Sequence, residues 1–303
     1  MTTVRLPVRG PFSLAAGIRF LEGFPPARYR GVDDGVLRLA FPIDASGESV
    51  GVAVHRQPDG AVLARVQGPL PDQLPAQLAR ILSLDVDASG FGAVREADPV
   101  VAALADRHPG LRPVCFFSPY EAACWAVLSQ RTSMAAAATV KERIAQRYGQ
   151  PCRVDGVRLW AFPCPARLAA VADELPVPDV KRARLTSLAE ATLDGRLDAE
   201  RLRRLPAEAA LTAVQELPGM GPFSAELVVV RGAGAPDVFP RTEGRLHAAM
   251  ADLYGLVDPT VDDLTRLAEC WSPYRSWVSV LIRADSAVAG AERPGRRVAA
   301  TAT

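Results

Sequence analysis

Lysine is almost missing from this sequence: only Lys141 and Lys181 occur in 303 residues. An amine nucleophile has few places to sit, and positive charge rests almost wholly on arginine. Long apolar runs are missing too, since none approaches the ~20 residues of a membrane helix. The N-terminal MTTVRLPVRGPF lacks the apolar stretch and cleavage site of a secretory leader. The expectation is a cytoplasmic protein with no membrane partner. Charge of one sign is also lacking, 35 Lys+Arg against 34 Asp+Glu leaving +1. A polyanion would therefore have to bind a local patch rather than a global field. The five cysteines, Cys115, Cys124, Cys152, Cys164 and Cys270, are odd in number, widely spaced and contain no C-x-x-C pair. That fits neither a zinc site, an iron–sulfur cluster nor a disulfide framework.

What is present is ordinary globular material, 49% hydrophobic and 23% charged, and the length is about two domains of ~150 residues. In residues 1–100, Leu37, Leu39 and Phe41 alternate with Arg38 and Ala40. Val50, Val52 and Val54 alternate with Gly51 and Ala53, and Val62, Ala64 and Val66 repeat the pattern. Such period-two runs predict half-buried antiparallel strands. Gln57-Pro58-Asp59-Gly60 supplies a turn between the last two. Leu74, Leu78 and Leu82 predict a covering helix near 70–84, completing a small α+β unit.

From about 115 the period becomes helical. Ser118-Pro119-Tyr120-Glu121 reads as a capping box opening a helix to about Gln130, and a second helix runs from about Ala135 to Tyr148. Further helical patterns lie near 165–173, 179–194, 206–216, 222–232, 243–254, 260–270 and 273–289. The stretch 291–303 reads as a flexible tail.

The most informative segment is Ala210 to Met250. An amphipathic helix ends at Leu217, Pro218-Gly219-Met220-Gly221 makes a tight turn, and Pro222 starts the next helix. Unobstructed amides at that helix's positive end suit an anionic group. Beyond the helix come Gly232-Ala233-Gly234, the Phe239-Pro240 loop and an acidic residue, Glu243, opening another helix.

With these residues the sequence resembles the helix–hairpin–helix (HhH-GPD) DNA glycosylases, in particular the bacterial 3-methyladenine DNA glycosylase II branch. The resemblance runs through Pro119–Gly149 with its Leu-Ser-Gln-Arg-Thr-Ser core, Val180-Lys181-Arg182-Ala183, the hairpin, Asp237-Val238-Phe239 and Trp271-Ser272-Pro273-Tyr274-Arg275-Ser276. It implies an antiparallel-sheet α+β domain (1–100) followed by a mainly α-helical glycosylase region in two lobes (101–290). The implied activity is excision of a damaged, alkylated purine from double-stranded DNA, by base flipping and hydrolysis of the N-glycosidic bond in base excision repair. A catalytically impaired DNA- or lesion-binding protein on the same fold is the alternative.

Residue by residue, the resemblance implies phosphate contacts at Gly219, Met220 and Gly221. It also implies a monovalent Na or K ion on the backbone carbonyls of Gln215, Leu217 and Met220 when DNA is bound. No other cofactor is implied. Glu243 stands where the family has its catalytic aspartate, and Thr242 where it has the preceding acid. Phe223 occupies the position of the lysine nucleophile of strand-nicking relatives, which implies a monofunctional enzyme without lyase activity. Phe223 also matches one family tryptophan, Leu227 matches a pocket tyrosine, and Arg283 matches a pocket tryptophan. An arginine repels a cationic base, so either the lesion is neutral or nearby Trp125, Trp271, Tyr274 or Trp277 replaces the lost ring. Gln130-Arg131 fill the turn that carries the family's wedge; Arg131 either intercalates or pairs with phosphate. Arg241 and Arg245, with Arg231 and His247, would supply local positive charge. One duplex site per chain makes a monomer sufficient.

Overall fold

The computed structural model describes residues 2–291 except Arg28, Arg30, Val32, Asp33 and Ala45. The expected tail lies, beyond Ala291, outside the described residues. Four antiparallel strands, β1 (Thr2–Leu6), β2 (Leu37–Pro42), β3 (Ser49–Arg56) and β4 (Val62–Val66), form one sheet in the order β1-β4-β3-β2. The alternating valines meet in register, Val52 opposite Val66 and Val54 opposite Ala64. Their buried side chains form one core with Leu37, Leu39 and Phe41, covered by the helices Leu14–Glu22 and Leu74–Ile81. The β3–β4 turn closes through Gln57 and Ala61, with Gly60 at φ +85°.

A second, two-stranded sheet interrupts the helical half: β5 (Gln150–Val154) and β6 (Val157–Ala161). Asp155 and Gly156 both take positive φ between them, as a tight hairpin turn of the primed kind requires. The hairpin lies against β3 at Gly51, where an added Cβ would stand 2.7 Å from Val154. Gly51 thus leaves room for a second layer.

The helical body has two cores. One gathers Trp125, Leu128, Ile144, Leu188, Val214 and Val228 with the rest of 116–238. The other joins Val94, Val101 and Leu104 to Phe239, Leu246, Met250, Trp271 and Ile282. The chain crosses between them at Val238–Phe239, just before Glu243.

Ser118 caps the helix Pro119–Ser129 as expected, accepting from the Glu121 amide. The reciprocal half of the expected capping box is replaced: the Glu121 carboxylate pairs with Lys141 at 2.6 Å. Two buried arginines stitch the layers together. Arg80 donates to Gly232 and Phe117 carbonyls and pairs with Asp44. Arg112 donates to the carbonyls of Arg9, Pro11, Ser83 and Val86 and lies over the Trp277 ring.

Candidate active site and nucleic-acid interface

The hairpin begins where the helix Ala207–Gln215 ends. Pro218 precedes Gly219 at φ +83°, and the Met220 amide closes the turn on the Leu217 carbonyl at 3.0 Å. Proline followed by a positive-φ glycine meets the requirements of a type II turn. The next helix, Pro222–Glu226, continues into a π-helical stretch, Leu227–Gly232, whose wider turn is closed by the Ala233 amide on the Val228 carbonyl. Such widened turns recur at functional sites.

The amides of Gly219, Gly221, Phe223 and Ser224 have no acceptor among the described residues. They form a cluster of donors at a helix start, suited to an anion. The Met220 amide, one of the three expected donors, does not belong to it, because it is spent on Leu217. The Gln215 and Met220 carbonyls accept no hydrogen bond from the described residues, whereas that of Leu217 accepts one from Met220. Two of the three oxygens expected to hold a monovalent cation are thus left without a donor among the described residues. No group of three or more His, Cys, Asp or Glu is placed to hold a metal among the described residues.

Gln130 is not free to act as a wedge. Its Nε2 donates to the Gly219 carbonyl at 2.8 Å, and Arg184 donates to its Oε1. The adjoining turn is held by Lys181, which donates to the Leu128 carbonyl and to Thr132. Partial burial, with Arg184 beside it, lowers the Lys181 pKa. Arg131 sits at the tip of this turn, exposed, at φ +51° and without a partner among the described residues. Arg184 had no distinguishing signal in the sequence, yet its side chain packs directly on Gly219.

Beyond the π-helical stretch, Asp237 accepts from the Arg275 amide and guanidinium and from Ser272. Burial alone would raise its pKa, but these donors outweigh it and hold the carboxyl below its usual range. His247 meets the Pro240 carbonyl at 3.0 Å and stacks on Phe239. The next residues are fixed by Glu226 of the hairpin helix itself. Its two oxygens accept from the Arg241 amide at 2.8 Å, the Thr242 amide at 3.1 Å and the Thr242 hydroxyl. The sequence reading missed Glu226. The signal was there: one carboxylate in the otherwise apolar run Ala225–Val230.

Glu243 follows at the N-cap of the helix Gly244–Tyr254, but its side chain does not cap that helix. Instead its Oε1 accepts from Nε of Arg283 at 2.9 Å, across 40 residues of sequence. Arg283 lies on the helix Arg275–Ala291 and also donates from Nη1 to Ser286 at 2.8 Å. The residue matched to a pocket ring is therefore the ion-pair partner of the residue matched to the catalytic acid.

Phe223 is 53% exposed on the hairpin helix, and Leu227, one turn on, is half-buried. The proposed replacement rings are elsewhere. Trp125 is 3% exposed inside the first helical core, and Trp277 is 6% exposed in the second, under Arg112 and beside Tyr274. Trp271 is buried and donates to Asp98. As apolar aromatics these side chains are consumed by packing, and Trp125 and Trp277 are not open platforms for a base. Arg231 is also turned inward, over Phe20 and Phe24 and donating to the Val114 carbonyl; burial lowers its pKa. Arg241 is exposed and paired with Asp262 at 2.6 Å. Arg245 is exposed and has no partner among the described residues.

No family model matches the chain. Among curated proteins, it is 31% identical over 287 residues to the Mycobacterium tuberculosis protein named "Probable bifunctional transcriptional activator/DNA repair enzyme AlkA", covering 91% of this chain and 55% of that one. It is 32% identical over 181 residues to "DNA-3-methyladenine glycosylase 2" of Escherichia coli, covering 57% of this chain and 60% of that one. Among solved structures, the 3-methyladenine DNA-glycosylase of Archaeoglobus fulgidus superposes with a TM-score of 0.74 at 19% identity, over 93% of this chain and 97% of that one. The chain is a relative of the bacterial DNA-3-methyladenine glycosylases. It shares the helix–hairpin–helix glycosylase fold, sheet domain included, and spans little more than half the length of the curated relatives just described. Against the resemblance to these glycosylases, the two departures expected from the sequence, at 243 and 283, stand in direct contact.

Proposed function

We propose that this chain is a monofunctional DNA glycosylase that flips a damaged purine out of duplex DNA and hydrolyses its N-glycosidic bond. The observation that carries this reading is the placement of Glu243. It is a carboxylate at the crossing between two lobes, on a loop held by the same hairpin helix whose starting amides are unbonded. Those amides would fix a backbone phosphate without reading sequence, and a monovalent cation on the Gln215, Leu217 and Met220 carbonyls would add positive charge there. Arg131 and Arg245, both exposed and unpaired among the described residues, and Arg241, whose exposed pair costs little to exchange, would meet further phosphates. The exposed ring of Phe223 offers a stacking face for the extruded base.

Bond cleavage places positive charge on the deoxyribose. A carboxylate held beside it stabilises that charge and orients the attacking water. Both lysines are committed elsewhere, Lys141 to Glu121 and Lys181 to Leu128 and Thr132. No Schiff base forms, and the product is an unbroken strand with an abasic site. Alkylated purines are the class that the names of the relatives carry. The partner is double-stranded DNA, met by one chain acting as a monomer in the cytoplasm, on the nucleoid if the host is a bacterium. No described helix is long and apolar enough to cross a membrane.

A second reading, lesion binding without turnover, draws on the Arg283 contact, which neutralises Glu243. A single-turnover assay on duplex DNA treated with a methylating agent separates the two. The glycosylase reading expects free methylated purine and an alkali-labile but unnicked strand. Tight DNA binding with no base released from any lesion would leave the binding reading in its place.

A further inference from the structure

Resting on the glycosylase reading, we infer that the Glu243–Arg283 pair selects purines that are neutral in the duplex and depart as anions. Arg283 is held in place: Nε donates to Glu243, Nη1 donates to Ser286, and the Ser286 hydroxyl donates back to the Arg283 carbonyl at 3.0 Å. Two polar atoms remain over. Nη2 of Arg283 and Oε2 of Glu243 have no partner among the described residues, and both side chains are partly exposed. Whatever approaches the free carboxylate oxygen also comes within reach of a fixed guanidinium donor. The site therefore offers opposite charges to two neighbouring atoms of one substrate.

Heterolysis of the bond between C1′ and the base nitrogen sends the electron pair to the base. When the base is neutral, the sugar becomes a cation and the base an anion. The carboxylate faces the first and the guanidinium the second, so both contacts strengthen as the bond breaks, which is what accelerates a reaction. Water then adds to C1′ and loses a proton, and the departing base anion gains one, so the sum is hydrolysis. When the base is already cationic, the same electron pair only neutralises it. No anion forms for Arg283 to meet, and before the bond breaks the guanidinium repels the bound base.

The test compares single-turnover release from duplexes carrying one hypoxanthine or one 1,N6-ethenoadenine, both neutral, with release from a duplex carrying 7-methylguanine, which is cationic. Wild type is run beside Arg283→Met and Arg283→Lys, each checked for folding by thermal unfolding. Wild type is expected to release the neutral bases faster. Arg283→Met should slow neutral release by about 100-fold, the size of losing one preorganised donor, and speed release of 7-methylguanine. Arg283→Lys, which restores the charge without the fork, should recover part of the neutral rate. Faster release of 7-methylguanine than of either neutral base by wild type would overturn the inference and keep the glycosylase reading. An unchanged neutral-to-cationic ratio in Arg283→Met would do the same. A wild type that binds all three duplexes and releases no base removes the glycosylase reading, and this inference with it.

Discussion

Glu226 is a carboxylate whose described partners are N–H and O–H groups of the loop it steadies, not a cation. Removing it leaves part-buried donors without this partner, at about 1 kcal/mol each. Glu226→Gln keeps the shape but turns an amide N–H₂ toward a backbone N–H. Small misplacements of a reacting group are costly, so Glu226→Gln should slow base release by roughly tenfold or more. DNA affinity, read by fluorescence anisotropy, should stay close to wild type. Wild-type release by this variant would mean that the 241–243 loop is held some other way. The position of Glu243 was legible because it follows a Phe-Pro loop and opens a helix. Its partner was not, since Arg283 lies 40 residues away and nothing local marks it. Trp125 and Trp277 misled for the opposite reason: a ring on a helix reads the same whether it lines a cleft or fills a core.

Among the elements, the two hairpin glycines do different work. Gly219 needs its left-handed φ, and an added Cβ would stand 2.6 Å from the Arg184 side chain. Gly221 is extended, at φ −85°, and an added Cβ would meet nothing. Gly219→Ala should therefore lower stability by about 1–3 kcal/mol of backbone strain, seen as a lower Tm. Gly221→Ala should leave Tm unchanged and weaken DNA binding, because its methyl stands among the donor amides where a phosphate would approach. Wild-type affinity in Gly221→Ala would place the phosphate elsewhere. Strands β2, β3 and β4 announced themselves by alternation, as did most of the helices by their longer period, but not Leu14–Glu22, Phe91–Ala97, Pro99–Arg107 or Ala199–Arg204. β1 did not, because Val4 and Leu6 give only two apolar beats. β5 and β6 were overlooked although Asp155-Gly156 between two valines is a hairpin signal, since Arg153, Arg158 and the half-exposed Leu159 and Trp160 blur the period.

Over the whole molecule, near-zero net charge and a polyanionic partner are reconciled by spending arginines unevenly. Arg80, Arg112 and Arg231 are turned inward as struts; burial pulls the pKa of Arg112 down to about 10, which still leaves it charged at neutral pH. Arg131 and Arg245 are left at the surface near the hairpin and Glu243. The two-lobed plan and its relatives followed from motif order along the chain; the internal struts did not, because each spans distant segments. Glu243, on the loop held by Glu226 and paired with Arg283, is the carboxylate on which the account turns. The most direct test is single-turnover base release by Glu243→Gln beside wild type on a lesion-bearing duplex, with DNA binding and thermal unfolding as controls. A loss of at least about 100-fold, about 2.7 kcal/mol of barrier, with folding and binding intact, is the predicted result. Equal release by the two proteins would contradict the assignment of Glu243 as the catalytic group.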